Sequence, residues 1–127
     1  MGQQQLLLIV LGLIIIGIAI VVGLSIFRMW SVDAKRDLII NENHSLADLA
    51  FKFYRLPTAM GGGGNSFIGW TIPSQMQTTA TGTHHLAEVY SDSVIIIGTG
   101  NEVVTGTDSI KVQTTVKSNS INTVVIN

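Results

Sequence analysis

Hydrophobic residues fill the first fifth of the chain and then become sparser, in two different periodic patterns. From Leu6 to Phe27 no residue is charged, and the apolar run is interrupted only by Gly12, Gly17, Gly23 and Ser25. A helix of this length spans roughly 33 Å, which matches the hydrocarbon core of a bilayer. Because a buried helix of a soluble core needs fewer uncharged residues, the pattern predicts a hydrophobic, membrane-spanning helix over residues 1–27.

The polar start of the chain argues against a cleavable secretory signal. Such a signal has a basic beginning, an apolar stretch of about 7–15 residues and a small-residue cleavage site. Here three glutamines, Gln3 to Gln5, precede the apolar run, and the first cation is Arg28. We therefore expect the apolar helix to be retained.

Residues 28–56 show the spacing of an amphipathic helix. Apolar residues recur at intervals of three or four, with charged residues between them. The polar run Asn41–Ser45 interrupts this pattern and suggests a kink or short break, with Ser45 restarting the helix as a capping residue. Pro57 ends the helix, because the residue before a proline is disfavoured in the α region. The predicted helix–sheet core residues are Leu38, Leu46, Leu49 and Phe53.

Residues 57–82 predict a glycine-rich loop, and residues 83–127 predict a small sheet. Four glycines begin at Gly61, and the apolar residues after them favour a loop that folds back on the helix. The phosphate-binding sequence Gly-Lys-Ser/Thr does not follow the glycines, so we do not expect nucleotide binding. Beyond residue 82 the apolar period changes to two. The predicted strands of an antiparallel meander are His85–Tyr90, Val94–Gly98, Ser109–Lys117 and Ile121–Ile126.

The third predicted strand needs a hydrophobic cover. Its apolar positions Ile110, Val112 and Val116 face one side together with Thr114, while lysine, glutamine and threonine alternate on the other side. The apolar stripe of the amphipathic helix is the nearest cover. The predicted fold is therefore α+β: a long N-terminal helix, first hydrophobic and then amphipathic, packed on a small C-terminal antiparallel sheet.

Composition and charge narrow the functional classes. Only 12% of the 127 residues are charged, and the formal net charge is −1. Nucleic-acid binding needs clustered cations, so we predict no nucleic-acid partner. The chain has no cysteine, which excludes a disulfide framework, a thiolate metal site and a cysteine nucleophile.

Candidate catalytic and metal-binding side chains are few and scattered. His84 and His85 are adjacent, so on a strand they point to opposite faces and cannot bind one metal ion together. We expect both, and His44, at the surface. Glu88 and Glu102 are expected as isolated carboxylates on a solvated strand face and in a loop. We therefore predict no catalytic residue, no metal and no cofactor, and the chain is not expected to be an enzyme.

The flanks of the apolar helix give conflicting signals about orientation. Arg28, Lys35 and Arg36 follow the helix, and the positive-inside rule places such cations in the cytoplasm. Residues 71–127, however, are rich in serine and threonine and poor in charge, which is typical of exported β domains. We favour an external C-terminal region.

The order of these segments resembles type IV pilins and pseudopilins over the whole chain: a polar start, an apolar helix with spaced glycines, an amphipathic continuation, a glycine-rich loop and an antiparallel sheet. Members of that family carry a short basic leader that ends in glycine and a glutamate at the fifth mature position. This chain has neither feature. Cleavage after Gly2 would place Leu7 at the fifth position, whereas Gln5 occupies it if Met1 is the mature N-terminus. We prefer the second register, because the Gln5 amide can accept a hydrogen bond from a neighbour's N-terminal amine.

The resemblance implies a structural subunit of an extracellular type IV pilus-like filament at the cell surface. Its partners would be the inner membrane and the pilus assembly machinery before assembly, and copies of itself in a helical homopolymer afterwards. The alternative is a single-span membrane-anchored protein, or a minor pseudopilin of a secretion system, whose sheet domain binds a partner. Gly12, Gly17 and Gly23 are expected to allow close packing or local melting of the helix. The expected filament-core residues are Leu6, Leu7, Leu8, Ile9, Val10, Leu13, Ile14, Ile18, Val21 and Leu24.

Overall fold

The computed structural model describes residues 2–105 and 108–127, with Thr105 described by its backbone alone. One long helix is followed by two short helical turns and four strands. Met1, the preferred mature N-terminus, lies outside the described residues. The predicted α+β class, with a long apolar N-terminal helix and an antiparallel sheet, is confirmed. The elements are α1 (Gly2–Arg55), a 3-10 turn (Thr58–Met60), α2 (Ser74–Gln77), β1 (Gly82–Val89), β2 (Ser93–Thr105), β3 (Asp108–Lys117) and β4 (Ile121–Val125).

The chain divides into two compact units, Met1–Asp33 and Ala34–Asn127, and the division falls within α1. The first unit contains the apolar part of the helix. The second unit, which we call the head, contains the rest of α1 and the whole sheet. Each unit is therefore described by itself below.

Helix α1 continues through Asn41–Ser45, so the predicted short break with a restart at Ser45 is wrong. The hydroxyl of Ser45 donates to the carbonyl of Asn41 one turn earlier, at 3.1 Å. Asn43 is fully buried and uses its side chain for contacts with the sheet. These polar side chains are satisfied without interrupting the helical backbone, which ends at Arg55, shortly before Pro57.

The four strands form an antiparallel sheet in the order β1-β2-β3-β4, as the meander predicted. Strand β2 is longer than predicted, because most of the segment Thr99–Asp108, expected as a loop, is strand. Strand β1 begins at Gly82 rather than His85, and its register shifts between Leu86 and Glu88. Gly100, which was expected in that loop, is a strand residue, and the packing of α1 explains why glycine stands there.

In the head, α1 approaches β2 closely at two glycines. A Cβ atom at Gly98 would lie 2.6 Å from Ile39 Cγ2, and one at Gly100 would lie 2.7 Å from Ile39 Cδ1. Real Cβ contacts are longer, so a side chain at either position would push the helix away or distort the strand. Glycine inside a strand often marks such an approach of a second element.

The head core forms where α1 and the segment before β1 cover one face of the sheet. Phe67 is fully buried and Trp70 nearly so, as expected for a loop folded back on the helix. The ring of Phe67 lies 4.7 Å from that of Tyr54, between centroids. The buried cluster comprises Leu46, Ala47, Ala50, Phe67, Trp70, Ile72, Val94, Ile96 and Val116.

The predicted helix–sheet core residues differ in burial. Leu46 is fully buried, and Leu49 and Phe53 pack at the edge of the same cluster. Leu38, by contrast, is 49% exposed, and its neighbour Ile39 occupies the buried position. The buried stripe of α1 includes the polar residue Asn43. A prediction built from apolar residues alone therefore chose Leu38, one position before the buried Ile39.

Candidate functional site

The first candidate site is the exposed surface of the apolar helix, which we define as residues 6–27. All ten expected filament-core side chains belong to it, and each is between 51% and 68% exposed. The helix is long and apolar enough to cross a membrane, and none of its most apolar window is buried. Apolar side chains are driven out of water, so this surface favours an apolar environment such as a bilayer.

The polar and glycine positions of this helix are also accessible. Gln5 is exposed one turn into α1, and a Cβ atom at Gly12, Gly17 or Gly23 would meet nothing within 4 Å. At 100° per residue, Gly12, Ala19 and Gly23 lie within about 40° of one another on the helix surface, whereas Gly17 lies on another side. A strip of small residues allows the backbone of a second helix to approach closely.

The second candidate site is a cluster of polar side chains inside the head, which we call the polar cluster: Glu42, Asn43, Thr79, Thr81 and His84. His84 is 3% exposed, so its expected surface position is wrong. Its Nε2 lies 2.6 Å from Oε2 of Glu42, and its Nδ1 lies 2.7 Å from Oδ1 of Asn43. The imidazole is therefore bound at both nitrogens by consecutive residues of α1.

Adjacent side chains of β1 point to opposite faces of the sheet, which explains why His84 and His85 differ in exposure. His84 is buried beneath α1 and its neighbour His85 is exposed, as expected for adjacent strand residues on opposite faces. His44 is exposed on α1, with its Nε2 3.2 Å from the hydroxyl oxygen of Thr123. Because the strand begins at Gly82 rather than His85, both neighbouring histidines belong to it.

The carboxylate of Glu42 is held by further hydrogen bonds. The hydroxyl of Thr79 donates to Oε2 at 3.1 Å, and that of Thr81 donates to Oε1 at 2.8 Å. Burial acts to raise the pKa of Glu42, but the hydrogen bonds from His84, Thr81 and Thr79 and the charge of His84 outweigh it and hold the pKa below the ordinary 4.5. The ionised carboxylate is thus the favoured form in the folded head.

The polar cluster has little capacity for catalysis, because its hydrogen-bonding atoms already have partners. A general base needs a free lone pair within reach of a substrate proton, yet both ring nitrogens of His84 contact side chains of α1. The Thr79 and Thr81 hydroxyls are likewise bound to Glu42. Among the described residues, no group of three His, Asp or Glu side chains could hold a metal ion. These contacts favour a structural role.

The two carboxylates expected to be isolated have partners. Glu102 lies in β2 rather than in a loop, and it forms an ion pair with Lys35 of α1 in which both side chains are more than one-third exposed. Glu88 accepts a hydrogen bond of 2.6 Å from the hydroxyl of Tyr90. That bond, with the carboxylate charge, raises the pKa of Tyr90. Neither pair forms part of the polar cluster.

Comparison with protein families, with curated proteins and with solved structures finds no match in any of the three. The function is therefore argued from the residues and their geometry alone.

Proposed function

We propose that the chain is a structural subunit of an extracellular type IV pilus-like filament, assembled through the apolar helix surface. The observation that carries this proposal is the exposure of every leucine, isoleucine and valine side chain of that surface in a single chain. The head differs, because its stretch of α1 already buries Ile39, Leu46 and Ala50. The first unit thus has an apolar surface without a cover, and the head has its own core.

The energetics require a partner for this surface. Burying 1,000 Å² of apolar surface per subunit stabilises the buried state by roughly 25 kcal/mol relative to water, before the costs of association. Lipid supplies this environment while the helix lies in a membrane. In a filament, the leucine, isoleucine and valine side chains of neighbouring copies supply it instead. The strip of Gly12, Ala19 and Gly23 supports a close approach between two such helices.

The small head favours a repeated structural subunit over a binding module. Tight turns join β1 to β2 and β3 to β4, since β2 begins four residues after Val89 and β4 four residues after Lys117. Ligand-binding sites are commonly built on longer loops carried by such a scaffold. At the start of the helix, Gln5 supplies an amide oxygen for a neighbour's N-terminal amine, although an amide does not neutralise the charge of that amine.

The experiment that tests this proposal is electron microscopy of material sheared from the cell surface, with mass spectrometry of the N-terminus in the same sample. We expect filaments composed of this chain, with an N-terminal residue that decides which residue occupies the fifth position. Recovery of the chain only from detergent-extracted membranes would overturn the proposal and favour a single-span anchored protein.

A pair of variants separates packing between helices from membrane insertion. Replacing Leu13, Ile14 and Leu24 together by alanine keeps the helix uncharged but removes packing volume. We expect its amount in the membrane to stay near the wild-type level while the sheared filament fraction falls. The matched control is Leu38→Ala, which truncates a half-exposed side chain of α1 in the head and leaves filament yield unchanged.

A further inference from the structure

The hydrogen-bond partners of Asn43 determine which nitrogen of His84 carries a proton. The Asn43 side chain is 3.2 Å from the carbonyl oxygen of Val112, and a carbonyl only accepts hydrogen bonds. Nδ2 must therefore point to Val112, which leaves Oδ1 facing Nδ1 of His84 at 2.7 Å. Since Oδ1 is also an acceptor, Nδ1 of His84 must be the donor.

The partners of Glu42 determine the state of the other nitrogen. The Thr79 and Thr81 hydroxyls both donate to the carboxylate, and the pKa of Glu42 is held below its ordinary value, so the group is ionised at neutral pH. An ionised carboxylate only accepts, so Nε2 of His84, 2.6 Å from Oε2, must also carry a proton. Both ring nitrogens then donate, which only the charged imidazolium can do.

We propose that His84 is a structural proton-binding site: the folded head holds one proton as a buried imidazolium that joins α1 to β1 through Glu42 and Asn43. This inference concerns the head and does not depend on the filament proposal. The charge is paired, which a buried cation requires. The lowered pKa of Glu42 agrees with a carboxylate that receives these donors.

Loss of the proton would leave an acceptor facing an acceptor. A neutral ring keeps the bond from Nδ1 to Asn43, but the lone pair on Nε2 then faces Oε2 of Glu42 inside the head. Among the groups near His84, Gly98 of β2 has no side chain, and Thr79 and Thr81 are engaged with Glu42. The amide of Gln77, which lines a pocket beside His84, donates to the carbonyl of Ile72. His85 is on the other face of β1.

The stability of the folded head should fall as the pH rises. The proton joins Nε2 of His84 to Oε2 of Glu42 inside the head, so the stabilisation is present while that proton is bound. It is lost as the pH rises until the folded protein releases the proton. One charge-assisted hydrogen bond in a domain of this size corresponds to a fall in unfolding midpoint of roughly 5–20 °C.

The variant Glu42→Gln tests whether Nε2 of His84 must donate a hydrogen bond to residue 42. A glutamine amide can donate to an unprotonated Nε2 while its oxygen accepts from Thr81, so a neutral ring keeps partners at both nitrogens. The Thr79 hydroxyl then donates to the carbonyl oxygen of Gly82, 3.3 Å away. We therefore expect Glu42→Gln to abolish the fall in unfolding midpoint between about pH 6 and pH 9. The control variant His85→Gln removes an exposed histidine from the same strand and should keep the wild-type slope.

The measurements use the full chain in detergent micelles. Nitrogen NMR of histidine-labelled wild-type protein should show two protonated ring nitrogens for His84, and thermal unfolding should show the slopes described. An unprotonated Nδ1 or Nε2 in folded protein at about pH 6 would overturn the proposal, as would a Glu42→Gln slope equal to wild type. If Glu42→Gln does not fold, the wild-type nitrogen spectrum alone decides the question.

Discussion

Replacing Leu46 by alanine tests which face of α1 packs on the sheet. Leu46 is fully buried in the head core, among residues from α1, the segment before β1 and the sheet. Leucine-to-alanine changes at such sites cost about 2.7–5 kcal/mol, because apolar contacts are lost and a cavity remains. A domain of about this size has a total stability of roughly 5–14 kcal/mol, so one substitution removes a large share of it.

The matched control is Leu38→Ala, two turns earlier in the same helix, where the side chain is 49% exposed. We expect this variant to cost less than about 1 kcal/mol, since much of the side chain is already in water. With about 4–8 °C per kcal/mol for a domain of this size, the two midpoints should differ by at least about 7 °C.

The assay is unfolding of the full chain in detergent, followed by the fluorescence of Trp70, which is 7% exposed in the core. The second tryptophan, Trp30, is 71% exposed and is replaced by phenylalanine in both variants to isolate the core signal. Equal midpoints for Leu46→Ala and Leu38→Ala would refute the described packing of α1 on the sheet.

Three further predictions concern other parts of the molecule. Gly98→Ala should destabilise the head by about 1–3 kcal/mol, measured by urea unfolding, because its Cβ would lie 2.9 Å from Asn43 Oδ1; wild-type stability would contradict the close approach. Thr81→Val should raise the pKa of Glu42 toward 4.5, seen by carbon NMR. A lowered pKa stabilises the folded head at pH values above it, and this stabilisation is lost as the pH falls. The difference in unfolding free energy between Thr81→Val and wild type should therefore shrink in acid, and a constant difference would refute the prediction. Gly17→Ala combined with Gly23→Ala should hinder filament assembly or stiffen the filament, measured by electron microscopy, and filaments of unchanged helical rise would count against it.

Local patterning was sufficient to predict the helix and the strand order, because both follow from periods that short windows of sequence contain. It failed where one element depends on another. Gly100 was expected in a loop and Gly98 at the end of a strand, yet both are strand positions under a helix. The apolar helix surface was visible in the sequence because it needs no partner within the chain.

The polar cluster could not be predicted in the same way. His84 and Glu42 are 42 residues apart, and their contact depends on the register of α1 against β1. The polar residues Glu42 and Asn43 looked like an interruption of the helix, whereas they are part of its packing face. Histidine is less often fully buried than apolar residues, so burial was not the expectation for His84, and no local pattern indicated it.

The glycine run after α1 has a consequence for where the protein can be cut or extended. The amides of Gly63, Gly64 and Asn65 donate to carbonyls of Phe53, Leu56 and Tyr54, at distances between 2.7 and 3.0 Å. These bonds satisfy carbonyls that the end of a helix otherwise leaves without partners. A segment whose composition suggests a flexible tether is thus fastened to the helix end. We expect the glycine run to resist proteolysis and to tolerate inserted tags poorly. The Ser118–Ser120 turn should accept both more readily.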